Sequence, residues 1–197
     1  MTNKTDELNK DRIRYLLTCL DKKMLKHGIK TNIYIVGGAA IALSMNNARV
    51  TTDIDANFSS PEIIAELQPL INEVAKEEGL TGHWLNDSFK AILGYFRKDD
   101  EPKTVFLGTN LVAAVASPQF VLSLKLAARR KKDIADIVAI TKKLGLKSRE
   151  ELLSITKRFF MADLDAAAHQ RIEIEEFIDQ LIEEGLLQFP ESRQSNL

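Results

Sequence analysis

At 197 residues, 45% hydrophobic and 28% charged, the chain is long enough for one full domain plus an appendage, and its composition excludes bulk disorder. A formal net charge of −1 argues against a generic electrostatic grip on nucleic acid and leaves only a local basic groove for such a partner. The single cysteine, Cys19, excludes an intrachain disulfide.

In chain order, the first ten residues are polar and charged with no apolar core for export. No run approaches the roughly 18 apolar residues that span a bilayer, so a cytoplasmic protein without a membrane partner is expected. Leu8 to Met24 then sets Ile13, Leu16, Leu17, Leu20 and Met24 at steps of three and four, one stripe of an amphipathic helix. Lys26, His27 and Gly28 close it, and Cys19 packs within it. A strand over Ile33 to Val36, a short helix from Gly38 to about Met45 and a second strand over Val50 to Phe58 follow. Ser59, Ser60 and Pro61 start a helix whose period carries through Ile63, Leu67, Leu70, Ile71 and Val74 to Gly79, with Pro69 expected to kink or split it.

Residues 81 to 116 read as β: His83 to Leu85, Phe89 to Phe96, Thr104 to Leu107 and Leu111 to Ala116, broken at Asn86-Asp87-Ser88 and Lys98 to Pro102. Ser117-Pro118 opens a helix with Phe120, Val121, Leu124 and Ala128 on its buried side, and residues 133 to 144 form another that stops at Gly145. Composition shifts near Lys147. Ser148 and Glu151 fit a capping box, and Leu152 to Phe160 and Ile172 to Ile182 read as two amphipathic helices. The expected organisation is a domain over 1–146, a helical appendage over 147–190 and a disordered tail over 191–197.

Chemistry is concentrated at Gly37-Gly38 and at Asp53-Ile54-Asp55. Without a Cβ, a glycine pair at a helix N-terminus lets backbone N–H groups press against phosphate oxygens, although a tight strand-to-helix turn would use the same residues. On a strand, Asp53 and Asp55 share one face with Cα atoms about 7 Å apart. That is near enough for both carboxylates to converge on one Mg²⁺, which takes oxygen ligands at about 2.1 Å. Acids also protect edge strands, but aspartate disfavours strand interiors, so metal binding is the favoured reading.

Gly37-Gly38, the helix behind it, Arg49, Thr51 or Thr52, and Asp53-Ile54-Asp55 resemble the glycine-pair and Asp-x-Asp signature of the nucleotidyltransferase superfamily, whose fold is the DNA polymerase β palm. Leu122 to Arg129 with Lys132 to Ile137 is similar to a downstream block of its small bacterial members. Those members include minimal nucleotidyltransferases, abortive-infection type IV toxins and a cytoplasmic family whose Trp-Leu-Asn-Asp stretch resembles Trp84 to Asp87. The resemblance covers roughly residues 30 to 145. It implies an α/β (α+β) fold with a small mixed sheet flanked by helices. Asp53 and Asp55 would hold Mg²⁺, and Gly37, Gly38, Arg49, Thr52, Arg129, Asp133 and Asp136 would bind nucleotide. Lys125 would act as a point charge on the triphosphate. The implied reaction moves a nucleoside monophosphate from its triphosphate to a hydroxyl of RNA, protein or a small molecule. A toxin-like role would call for an antitoxin-like protein partner.

One departure is plain: neither Thr104 to Leu107 nor Leu111 to Ala116 carries the third carboxylate the superfamily usually supplies, and Asp87 is the nearest substitute. The alternative function is therefore a catalytically inactive nucleotide-binding or protein-interaction module on the same fold. Arg129 and Asp133, four apart, also suit a simple helix-surface pair, and Asp133 an N-cap. His27, His83 and His169 lack metal-ligand spacing. Trp84 reads as a core or rim aromatic, and Arg129 to Lys132 as a positive run flanking an anion or facing solvent.

Overall fold

The computed structural model describes residues 7–45, 48–90, 96–159 and 165–189. The chain divides into two compact units, Met1–Gly94 with Asp100–Ser117, and Tyr95–Asp99 with Pro118–Leu197. The compositional shift near Lys147 therefore falls inside the second unit. The tail expected over 191–197 lies outside the described residues.

Among the described residues, the first unit is built on a five-stranded mixed sheet with three helices. Helix α1 (Lys10–His27) buries Ile13, Leu16, Leu17, Leu20 and Met24, the stripe its periodicity predicts. The side chain of Asn9 caps its start and Gly28, at φ 68°, its end. Strand β1 (Thr31–Ile35) leads into α2 (Gly37–Ser44), and β2 (Ile54–Phe58) into α3 (Pro61–Glu78). Three short strands complete the unit: β3 (Leu85–Asn86), β4 (Lys103–Leu107) and β5 (Leu111–Val115). In the order β3-β2-β1-β5-β4, β1 is central, antiparallel to β2 and parallel to β5. Alternation is clean: Ile33, Ile35, Ile54, Ala56, Phe58, Leu111, Ala113 and Val115 are buried, and the residues between them are not.

Three expectations change here. The second strand begins at Ile54 rather than Val50, because Thr51 pairs instead with Leu8 in an isolated antiparallel bridge. Helix α3 runs unbroken through Pro69. The carbonyl that loses its donor belongs to Ala65, which faces solvent, while Leu67, Leu70, Ile71 and Val74 keep the helix on the core. Of the strand expected over Phe89 to Phe96, residues 91–95 lie outside the described residues, and Ser88 and Phe89 lie in a turn. Trp84 is a core aromatic, 1% exposed, with its indole N–H donating to the Ile71 carbonyl at 3.0 Å.

The second unit packs α4 (Pro118–Ala128) among α5 (Ile134–Lys143), α6 (Arg149–Phe159) and α7 (Asp165–Glu183). Phe120 makes edge-to-face contacts with Phe96 and Phe159, at centroid distances of 5.9 and 5.1 Å. The capping box at α6 is shifted. Ser148 accepts from the Glu151 N–H at 3.2 Å, while the Glu151 carboxylate takes the N–H of Lys147, at 2.7 Å. Arg149 forks onto Asp179, tying α6 to α7.

Asp21, on α1, organises the hairpin between β4 and β5. Its carboxylate accepts the backbone N–H groups of Thr109, Asn110 and Leu111 at 3.2, 2.8 and 2.7 Å. Gly108 clears its path, since a Cβ there would lie 2.5 Å from the Asp21 Oδ1. Asp21→Ala strips the acceptor from three donors and is expected to cost about 2 kcal/mol in urea unfolding, with Asp21→Asn costing less.

Candidate active site

Both blocks singled out by the sequence form clusters, each within its own unit. In the first unit, β1 delivers the chain to Val36 and α2 begins at Gly37, whose φ of 63° lies in the left-handed region. Val36, at the N-cap, offers no side-chain acceptor to the first turn. The segment 49–55 crosses that turn. A Cβ on Gly37 would lie 3.1 Å from the Asp55 Oδ2. One on Gly38 would lie 2.7 Å from the Thr51 Oγ1, 3.1 Å from the Thr51 Cβ and 3.7 Å from the Arg49 Nη2. The space above each glycine is thus filled by a side chain of this segment.

The backbone fixes that approach. The Val36 N–H donates to the Asp55 carbonyl at 2.9 Å and the Ile54 N–H to the Trp84 carbonyl at 2.7 Å, so Asp55 is held from both neighbouring strands. Ile54 is fully buried, and Asp55, next in the alternation, is half-exposed. Asp53 precedes the strand, and its Oδ1 accepts from the Thr51 hydroxyl at 3.5 Å. The Asp55 carboxylate therefore lies beside Gly37, and the Asp53 carboxylate meets the threonine that lies beside Gly38. Thr52 is exposed, and Thr51 is the threonine that meets Gly38. The Arg49 guanidinium donates to the Val50 carbonyl.

Among the described residues, no three His, Cys, Asp or Glu side chains are grouped as a metal cage would group them, and β4 and β5 carry no acid. Asp53 and Asp55 alone supply a hard-oxygen donor pair. That suits Mg²⁺, which is commonly held by one or two carboxylates plus substrate phosphates. Asp87 follows Asn86, the residue that pairs with Asp55 in the parallel β2–β3 register, and its carbonyl closes a turn by accepting the Lys90 N–H at 2.9 Å.

In the second unit, Lys125 is 5% exposed, and its ammonium contacts the Asp133 Oδ1 at 2.5 Å and the Asp136 Oδ2 at 2.9 Å. The Arg130 Nε holds the other oxygen of Asp133 at 2.7 Å. Asp133 is the N-cap of α5 by position, but no side-chain cap bond forms, because its carboxylate is turned onto the two cations. The pairing of Arg129 with Asp133 is not found. Arg129 adopts φ 49° as α4 ends and pairs with Glu173 on α7. Burial pushes the Asp133 carboxyl up, and the hydrogen bonds and charges of Lys125 and Arg130 outweigh it, leaving the group below its ordinary 3.8.

The sequence signal for Thr51 was its place in the Arg49–Asp55 block. For Leu8 and Glu173, partners distant in sequence, no local signal exists.

The chain matches the family described as "Nucleotidyltransferase of unknown function (DUF6036)" over residues 15–182. No curated protein matches it. A solved structure, the crystal structure of an antigenic nucleotidyltransferase-like protein from Paracoccidioides brasiliensis, is similar at 16% identity with a TM-score of 0.42, covering 90% of each chain.

The Lys125 cluster makes two quantities measurable. Lys125→Met leaves two buried carboxylates short of a cation and is expected to cost about 3–5 kcal/mol in urea unfolding. Because the folded Asp133 carboxyl lies below its unfolded value, its contribution is fully present above that ordinary value and is lost as pH falls through the depressed one. Asp133→Asn should therefore be less stable near neutrality and flatten the decline of the urea midpoint below about pH 4.

Proposed function

The chain belongs to this nucleotidyltransferase family, and on that premise we propose that it is a Mg²⁺-dependent enzyme transferring a nucleoside monophosphate from a nucleoside triphosphate to a hydroxyl acceptor. The observation that supports this reading is the Asp55 carboxylate against the first glycine of α2, with Asp53 two residues away on the same segment and bonded to Thr51 beside the second. Asp53 and Asp55 would hold the ion. When bound, Mg²⁺ neutralises triphosphate charge and stabilises the attacking and leaving oxygens.

The residues of the chain supply position. Gly37 and Gly38 turn the first N–H groups of α2 toward the triphosphate, at the end of the helix where its dipole favours anions. Arg49, beside Gly38, adds positive charge on the same side. The acceptor hydroxyl attacks the α-phosphorus, the bond from the α-phosphorus to the bridging oxygen breaks, pyrophosphate leaves, and the hydroxyl proton passes to solvent or to a carboxylate such as Asp87. Lys125 enters as a phosphate contact only if phosphate oxygens exchange with Asp133 and Asp136. Without that exchange it is their counter-ion, with Arg130 on the other oxygen of Asp133 and Arg129 paired with Glu173. RNA, a protein or a small molecule could offer the acceptor hydroxyl, and a toxin-like role with an antitoxin-like partner belongs to the first two.

A second reading draws on the absence of an acid from β4 and β5: a nucleotide-binding or protein-interaction module without turnover. Incubation with labelled triphosphates, Mg²⁺ and total RNA or lysate separates the two. Pyrophosphate release that falls by about two orders of magnitude or more in Asp53→Ala and Asp55→Asn supports the enzyme. Tight binding without release supports the module.

A further inference from the structure

We propose that Thr51 is a positioning residue that orients the Asp53 carboxylate, and that Gly38 lacks a side chain in order to admit the Thr51 hydroxyl. The inference rests on the metal-binding reading of Asp53 and Asp55 and adds to it what orients the first of them.

Asp55 needs no such help, since it sits inside β2 with its neighbours bonded to strands on either side. Asp53 lies ahead of the strand, where no ladder fixes its direction. The residue two before it supplies the constraint. Thr51 is clamped by both bonds of its bridge to Leu8, the Leu8 N–H to the Thr51 carbonyl at 2.7 Å and the Thr51 N–H to the Leu8 carbonyl at 3.1 Å. Leu8 is fully buried, so the clamp is anchored in the core. From that fixed backbone the Thr51 Oγ1 reaches into the space above Gly38 and donates to the Asp53 Oδ1 at 3.5 Å. That distance is the outer limit of a hydrogen bond, and such contacts commonly tighten once a site is loaded.

A Cβ on Gly38 would come within 2.7 Å of the same oxygen, closer than any ordinary contact, and would displace the hydroxyl from the position in which it meets Asp53. One glycine thus serves the helix turn through its φ and the other serves the threonine through its size. Groups that orient metal ligands typically contribute tenfold or more to metal affinity.

The test uses the full chain with Mn²⁺ alone as a spin probe, free ion being read by electron paramagnetic resonance, together with apo crystal structures and melting curves. Thr51→Val, which keeps the volume and loses the hydroxyl, is expected to weaken Mn²⁺ binding about tenfold with the melting temperature nearly unchanged, and to let the Asp53 carboxylate rotate away from residue 51. Thr51→Ser should restore both affinity and orientation. Gly38→Ala should reproduce the Thr51→Val affinity. The proposal is overturned if Asp53 keeps its direction in the Thr51→Val crystal, or if Thr51→Ser is as weak as Thr51→Val. Absence of Mn²⁺ binding by the wild-type chain would count against the metal reading instead, and the Asp53 orientation in the crystals would still decide the part played by Thr51.

Discussion

The site depends on the close approach of two side chains to two residues that have none. Asp55 and Thr51 occupy the volumes that Cβ atoms would take on Gly37 and Gly38, and that approach brings acidic oxygens beside the exposed N–H groups of a helix terminus. Carboxylates facing such donors without a cation would compete with any incoming phosphate for the same end of the dipole. Under the proposed function a divalent ion would resolve that conflict by turning two anionic partners of the glycine loop into a receptor for a third.

The second unit solves a different electrostatic problem. Lys125 interrupts an otherwise apolar helix at a position where an unpaired ammonium would be costly, and two aspartates plus Arg130 balance it. The cost falls on the turn between α4 and α5. Arg129 takes a left-handed backbone, and Asp133 gives up its capping bond to face Lys125. Lys125, which the apolar sequence around it marks as needing a partner or a cleft, has two carboxylate partners in the folded unit.

Much of this was legible before folding. Strict periodicity marked α1, α3 and the central strands, serine-proline pairs marked helix starts, and the glycine pair with two nearby acids marked the candidate site. What failed to read through was whatever depends on partners far along the chain. Residues 50–53 have the composition of a strand and are not one, because Thr51 is claimed by Leu8. Pro69 carries a breaker signal, yet Ala65 can leave its carbonyl to water while the opposite face stays in the core. Glu173 takes Arg129 from 44 residues away, and no helical spacing announces that.

The bridge between Leu8 and Thr51 also joins stability to chemistry. A buried leucine is worth about 1.5–3 kcal/mol relative to an exposed one, and here its backbone passes that rigidity to a polar segment too irregular to be held by a sheet. Had β2 begun at Val50, as its composition suggests, the ladder would have fixed Asp53 and Asp55 equally, at a strand's spacing. Ending the ladder at Ile54 leaves Asp53 outside it, where the Thr51 hydroxyl reaches its carboxylate. The irregular stretch is tied at Thr51 to Leu8, two residues ahead of α1, and at Ile54 to the sheet.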